Sequence, residues 1–315
     1  MTLERTLEEV AAKLRWTKRG LVLPDGKTAQ RADAAQALED WLYANVFIDW
    51  RRSEGRFADS LGGSPEFIAS LLAAAHGATW FMPHFRVLSR EARGLFVFNT
   101  EIRLFLRDAS QLRPSTAVAG DSVSVKLPCA REAAMPGYFC FNSRAGRFSD
   151  DRPHLKVYLN VTPRHAPTML HALLHDRSLA KIRFDGKIAN DPDAFGRRDT
   201  MLLYVDPRGI VPVLRVVLRH RKGLRPHTPP FVLQVAPGLG VAESPLGSHE
   251  SFGAQRCRLV AEGLLAWVHR PSLSVVSAVA SRFSAEGLDL TQPWLGSLSS
   301  TWVSRVTKAL PRRAR

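Results

Sequence analysis

Over residues 154–161 the chain alternates on a two-residue period. Leu155, Val157, Leu159 and Val161 fall on one side; His154, Lys156, Tyr158 and Asn160 fall on the other. A strand sends successive side chains to opposite faces, so this pattern fixes a strand with one face built for a core. The other face carries an imidazole, an amine, a phenol and an amide in one row. A merely solvated face more often carries Glu, Ser, Thr and Lys, so the row reads as a site for an anionic, proton-exchanging substrate.

The spacing after this strand predicts a helix over 166–179, with Pro167 near its start, and then a second alternating strand over 181–188. Ile182, Phe184 and Ile188 point inward there, and Lys181, Arg183, Asp185 and Lys187 outward. Strand, helix and returning strand belong to one sheet. Upstream, Leu3, Leu7, Val10 and Leu14 recur at helical spacing, and a second helix is predicted over 32–49. A third has Ser64 as N-cap, Pro65 at its first position and Gly77 past its end. Short strands at 85–88, 95–98 and 102–106 suggest a meander. A Ser/Pro/Ala/Gly stretch at 113–120 marks the expected domain boundary, giving a helical region with a short meander over 1–112 and an α+β domain over 113–315. Val123, Val125 and Leu127 alternate with Ser122, Ser124 and Lys126; 137–141 reads as a strand and 142–152 as a loop. The apolar runs 201–206 and 210–220 are both read as strands, and helices are expected at 252–269, 273–284 and 299–310. The fold class is α+β: a helical N-terminal region, then a mixed β-sheet core with flanking helices.

The 315 residues hold 44 Lys and Arg against 29 Asp and Glu, a formal charge of +15, which calls for an acidic partner. Nucleic acid, an anionic membrane and a phosphorylated substrate all qualify. The cations are dispersed, however, apart from Arg312, Arg313 and Arg315 at the end, and no zinc-finger or ribonucleoprotein signature is present. Cys129, Cys140 and Cys257 are widely spaced, which argues against a disulfide framework and for a reducing compartment. Cys257 lies in an apolar helical context and reads as core. No apolar signal core or membrane-spanning window occurs, so the expected location is cytoplasmic. The phosphate-loop, H-E-x-x-H and G-x-S-x-G motifs are absent. Gly238-Leu239-Gly240 is half of a dinucleotide fingerprint without the third glycine. His171 and His175 lie one helical turn apart with no third ligand in view, the pattern of a solvated helix face rather than a metal site.

What remains is a basic set around the two alternating strands: Arg152, His154, Lys156 and Tyr158, then Arg183 and Lys187, then Arg197 and Arg198. Arg256 follows Ser251-Phe252-Gly253, where a helix N-terminus would offer N–H groups to an anion. Lys126 is a further candidate for substrate binding. Many cations, one His, one Lys and no metal or cofactor suit β-elimination of phosphate from phosphoserine or phosphothreonine. A base takes the weakly acidic Cα proton, an acid helps the phosphate leave, and cations hold the developing charge. Like charges and burial make a lysine a base by lowering its pKa. The strands alone leave Lys187 and Lys156 both open as that base.

Several segments together resemble the HopA-type effector family of plant-pathogen type III effectors, whose relatives serve as lyase components in lanthipeptide and thioamide-peptide clusters. They are HGATWFMPHFRVL, PGYFCF, HLKVYLNVTPRHAP, RRDTMLLYV and APGLGVAESP with SFGAQRCRLVAEGLL. The family is in turn distantly similar to bacterial phosphothreonine lyases, which act without metal through a lysine base and a histidine acid. By that resemblance DRPHLKV makes His154 the acid and Arg152 a phosphate-side cation, FDGK makes Lys187 the base, and Arg198 and Arg256 become phosphate ligands. The resemblance implies a lyase that makes dehydrobutyrine or dehydroalanine in a ribosomally synthesised precursor peptide phosphorylated by a kinase-like partner, with no cofactor. Two other readings stay open: a non-catalytic effector-like protein that binds phosphopeptides or proteins, and a nucleic-acid-binding protein.

Overall fold

The structure, a computed structural model, describes residues 2–49, 62–148, 153–245, 250–270, 274–296 and 300–309. Arg152 and the arginines at 312, 313 and 315 lie outside these residues. The described chain starts with α1 (Leu3–Ala11), a small sheet of β1 (Arg15–Thr17), β2 (Gly20–Val22) and β3 (Thr28–Ala29), and α2 (Ala34–Leu42), which continues as a π-helical turn, Tyr43–Phe47. Next come α3 (Pro65–Ala74), β4 (Thr79–Glu91), β5 (Gly94–Phe98), β6 (Arg103–Leu106), β7 (Leu112–Arg113) and β8 (Ser122–Pro128); these five strands form one sheet, ordered β6-β5-β4-β8-β7. The meander thus extends past residue 113, since β8 pairs with β4.

The main sheet is built from β9 (Ala130–Met135), β10 (Tyr138–Asn142), β11 (Leu155–Leu159), β12 (Phe184–Ala189), β13 (Met201–Val205), β14 (Leu233–Ala236) and β15 (Leu239–Glu243). Helix α4 (Ala166–His175) connects β11 to β12, and α5 (Ile210–Arg219) follows β13. The order is β14-β15-β11-β13-β12-β10-β9, antiparallel in every described pairing rather than mixed. Strand β13 inserts between the two alternating strands, β11 and β12. Helices α6 (Phe252–His269), α7 (Val275–Ala285) and α8 (Thr301–Ala309) end the described chain, which is α+β with eight α-helices and three antiparallel sheets.

Local signals explain the helix starts. Ser64 Oγ accepts the Phe67 N–H at 3.3 Å ahead of Pro65, and Ser251 Oγ accepts the Ala254 N–H at 3.2 Å. The segment read as a strand over 210–220 is instead α5. Ile210, Val213, Leu214 and Val217 are fully buried on one helical face, whereas Arg215 and Arg219 stay exposed. Each β-branched residue costs a helix less than about 1 kcal/mol, and burying it returns roughly 1.5–3 kcal/mol, so packing overrides the propensity. Gly238-Leu239-Gly240 belongs to the β14–β15 hairpin. Gly238 has φ +73°, and a Cβ there would stand 2.0 Å from the Arg225 carbonyl oxygen.

Both faces of the main sheet are covered at its centre. On one, Leu155, Val157 and Leu159 join Phe139, Phe141, Phe184 and the apolar sides of α3, α4, α5 and α8. On the other, Tyr158, Leu202 and Ala242 meet α1, α2, α6 and α7.

Candidate functional site

The strand register decides which polar side chains share a face. Tyr158 lies opposite Leu202, Leu202 opposite Lys187, and Lys187 opposite Cys140. One step along, Lys156 lies opposite Tyr204 and Tyr204 opposite Asp185. Directly opposed residues point to the same side of an antiparallel sheet, so the polar rows of β11 and β12 form one surface.

This surface is not uniformly open. Over β15, β11 and β13 it is roofed by aromatic side chains: Phe47 from the π-helical turn meets Tyr158 edge-on at 6.0 Å, and Phe252 of α6 lies 6.1 Å from the same ring. Lys156 is 7% and Tyr158 3% exposed, so the polar row of β11, read from the sequence as a substrate site, is buried. Burial holds the Tyr158 phenol neutral, far above its ordinary pKa. From β12 outward the surface opens, and Asp185, Lys187, Tyr138 and Arg131 are half-buried.

Lys187 sits where the roof ends. Its amine lies 4.3 Å from the centroid of the Tyr138 ring and 3.8 Å from Met135 Sδ. Burial lowers its pKa; Asp199 acts against that shift and Arg197 with it. Arg197 and Asp199 form a two-point ion pair, Nε to Oδ1 and Nη2 to Oδ2 at 2.8 Å, with side chains 5% and 10% exposed. The Arg197 guanidinium also stands 5.9 Å from the Tyr138 ring. The π-helical turn brings Tyr43 to the same pair, and burial raises both the Tyr43 and Tyr138 phenols. Here, then, is an amine whose charged form burial disfavours, next to an Asp199 carboxylate that Arg197 already pairs.

His154 belongs to a neighbouring group. Its ring lies between Phe148, at 5.2 Å, and Tyr204, at 5.7 Å, and the Lys156 amine stands 5.7 Å from that same tyrosine ring. The register puts His154 level with Arg183, four residues along and two strands across from Lys187. At about 4.8 Å per strand and 3.4 Å per residue, the two Cα atoms are roughly 16 Å apart. Lys156 is closer to Lys187, at roughly 12 Å by the same count.

The remaining candidates lie elsewhere. Arg198 turns away from the sheet, donating to Asp49 at 2.8 Å and to the Val46 carbonyl at 3.3 Å. It lines a cleft of ≈ 990 Å³ together with Trp41, Asp49, Pro229 and Trp294. Arg256 is 1% exposed and braces the segment before α8, donating to the Pro293 and Leu295 carbonyls at 2.8 Å each and to the Gln255 side chain. Burial pushes its pKa down to about 10. Its helix does not present a bare N-terminus, because Ser251 already takes the Ala254 N–H. Arg183 is exposed just ahead of β12, and Lys126 is exposed on β8 of the other sheet. Thus His154, Lys156, Tyr158 and Lys187 share one surface, whereas Arg198, Arg256 and Lys126 do not join it. Tyr138, Tyr204 and Asp199 were not singled out from the sequence. The GYFCF segment did carry a signal for the first: Tyr138 and Cys140 alternate with the core residues Phe139 and Phe141. Cys257 is 1% exposed, as its apolar context implied.

No group of three metal-ligating side chains occurs among the described residues, and none of their helices is long and apolar enough to cross a membrane. His171 and His175 stack at 4.4 Å, with His171 Nδ1 3.3 Å from the Ala74 carbonyl oxygen.

Two solved structures are similar to this one. An effector protein from Pseudomonas syringae pv. tomato strain DC3000 aligns with TM-score 0.49 and 14% identity over 93% of this chain and 97% of that one. An effector protein from Pseudomonas syringae pv. syringae strain 61 aligns with TM-score 0.44 and 14% identity over 85% and 94%. No curated protein matches the sequence. The model of the HopA1 effector protein family matches residues 129–295, just over half of the chain and every strand of the main sheet. The chain belongs to the HopA1 effector protein family.

Proposed function

We propose that this protein is a metal-independent phosphopeptide lyase with Lys187 as its base. The observation that carries the proposal is the setting of Lys187: a half-buried amine against Tyr138, with the Arg197 guanidinium nearby and Asp199 already committed to that guanidinium. Desolvation and a neighbouring cation both favour the neutral amine, the form able to accept a proton.

In the reaction, the neutral amine takes the Cα proton of a phosphothreonine or phosphoserine residue. The electron pair of that C–H bond becomes the Cα–Cβ double bond. The Cβ–O bond breaks, phosphate leaves with its electrons, and an acid protonates it. The products are dehydrobutyrine or dehydroalanine and inorganic phosphate. The resemblance of the DRPHLKV strand assigns the acid to His154, whose Cα stands roughly 16 Å from that of Lys187. Lys156, nearer to Lys187, is the alternative proton-handling residue. Tyr158, buried and neutral under the roof, supports the floor of the site by packing. The substrate is a ribosomally synthesised precursor peptide, and a kinase-like partner supplies its phosphate. The resemblance of DRPHLKV and FDGK to strands of metal-independent phosphothreonine lyases and the formal charge of +15 favour a phosphorylated substrate.

The test is mass spectrometry of a phosphothreonine peptide incubated with the protein and EDTA, with a thiol to trap alkenes. The expected result is loss of phosphoric acid and capture of thiol, abolished by Lys187→Ala. A peptide left unchanged, even with the partner kinase and the native precursor present, would sink the lyase reading. Retained binding of that unchanged peptide would then favour a phosphopeptide-binding protein.

A further inference from the structure

The arginines nominated for the phosphate are engaged elsewhere, yet the open part of the sheet carries cations of its own. Arg131 on β9, Cys140 on β10 and Lys187 on β12 stand opposite one another in a single cross-strand row. The outer two backbones are about 9.6 Å apart, two strand spacings, and the thiol between them is too short to fill the gap. A second guanidinium closes the side: Arg147 Nε lies 3.5 Å from Asp185 Oδ2, and Asp185 is the residue two before Lys187 on the same face.

We propose that Arg131 and Arg147 form a seat for a phosphate monoester above Cys140, beside the Lys187 amine; the peptide scaffold of that ligand rests on the lyase reading. Three observations carry it. The Arg131 Nε–H is shut off from solvent with no hydrogen-bond partner among the described residues. A buried donor in that state calls for an acceptor. Both guanidiniums act on the same point, since Arg131 and Arg147 each pull on the Cys140 thiol, which burial nonetheless keeps protonated. Finally, the row lies on the half-open stretch, with the Arg147 side chain 45% exposed, so an anion can reach it.

Asp185 completes the arrangement. It holds Arg147 and accepts the Phe148 N–H at 3.4 Å. Burial already pushes this carboxyl toward its acid form, and an arriving phosphate pushes it further the same way. The two guanidiniums then meet the phosphate with less opposition from Asp185. Asp199, the other carboxylate near Lys187, is neutralised by Arg197. Cys140 and Lys187 are directly opposed on neighbouring strands, about 4.8 Å apart, so a phosphate seated above the thiol lies on the lysine's side of the sheet.

The experiment uses a peptide in which a difluoromethylene phosphonate replaces the phosphate ester of phosphothreonine, so that it binds but cannot eliminate. Binding to the full chain is measured by calorimetry for wild type, Arg131→Gln, Arg147→Gln and Lys126→Gln, with the unphosphorylated peptide as reference. Each arginine variant is expected to lose at least tenfold in affinity for the phosphonate peptide and none for the reference, while Lys126→Gln matches wild type. Arg131→Lys and Arg147→Lys recover part of the loss if charge at these points is what matters. Wild-type affinity in both glutamine variants overturns the seat, and does so even if phosphate elimination is observed. Arginine-dependent binding without any elimination keeps the seat and removes the lyase reading. Failure of the wild type to discriminate the phosphonate peptide from the reference overturns the seat outright.

Discussion

Replacing Arg197 by methionine tests the reasoning about the site most directly, because it changes stability and Lys187 together. Arg197 and Asp199 are 5% and 10% exposed and meet at two points. Removing one partner of such a pair leaves a buried, uncompensated charge and costs about 3–5 kcal/mol. For a chain of this size that is on the order of 2 °C per kcal/mol, a fall in Tm of about 6–10 °C. Replacing both partners, Arg197→Met with Asp199→Leu, removes the desolvation cost too, so the double variant is expected to be more stable than the single one. Urea unfolding of the four members of this double-mutant cycle measures the coupling. The electrostatic arm has its own sign. Arg197 lowers the Lys187 pKa and Asp199 raises it. With the guanidinium gone and Asp199 unopposed, Lys187 holds its proton more tightly, and the acid limb of the kcat/KM profile moves to higher pH. A loss under 1 kcal/mol, or a double variant less stable than the sum of the singles, would refute the buried-pair account. An unmoved acid limb would refute the link to Lys187.

Asp199→Asn carries the opposite sign: it removes the charge that favours the ammonium form, so the acid limb moves to lower pH in the same kinetic profile. Gly186→Ala places a Cβ 2.3 Å from the ring of Phe141, itself fully buried, so overpacking costs about 1–3 kcal/mol by chemical denaturation and displaces the adjoining Lys187. Phe47→Ala removes a ring 1% exposed that packs on Tyr158, Phe231 and Phe252; about 3–5 kcal/mol of stability is lost, and the near-ultraviolet dichroism of the tyrosines changes. Exhaustive chelation is expected to leave the elimination rate unchanged in a mass-spectrometric time course.

Local pattern carried a large part of the architecture. Period-two alternation identified β11 and β12, because a pleated chain has no other way to sort its side chains. Ser64, Pro65 and Gly77 located α3, since capping chemistry is confined to a few adjacent residues. In α5, by contrast, a run of β-branched residues imitated a strand, and only the α4 and α8 surfaces it packs against select the helix. The β14–β15 hairpin was hidden behind a glycine pair that looked like a nucleotide motif.

The sequence by itself determined the chemical stock of the site: the polar face of β11, Lys187 two residues past Asp185, and a large excess of cations. Tertiary structure decided which of these meet. Insertion of β13 between β11 and β12 separates His154 from Lys187, and the register with β10 and β9 brings Cys140 and Arg131 into the lysine's row. Packing of the π-helical turn and α6 buries Tyr158, and the turn of the chain after Arg197 sends Arg198 to Asp49 instead of to the sheet. Strand order and helix docking arise from contacts between residues far apart in the chain, which periodicity within a single segment does not encode.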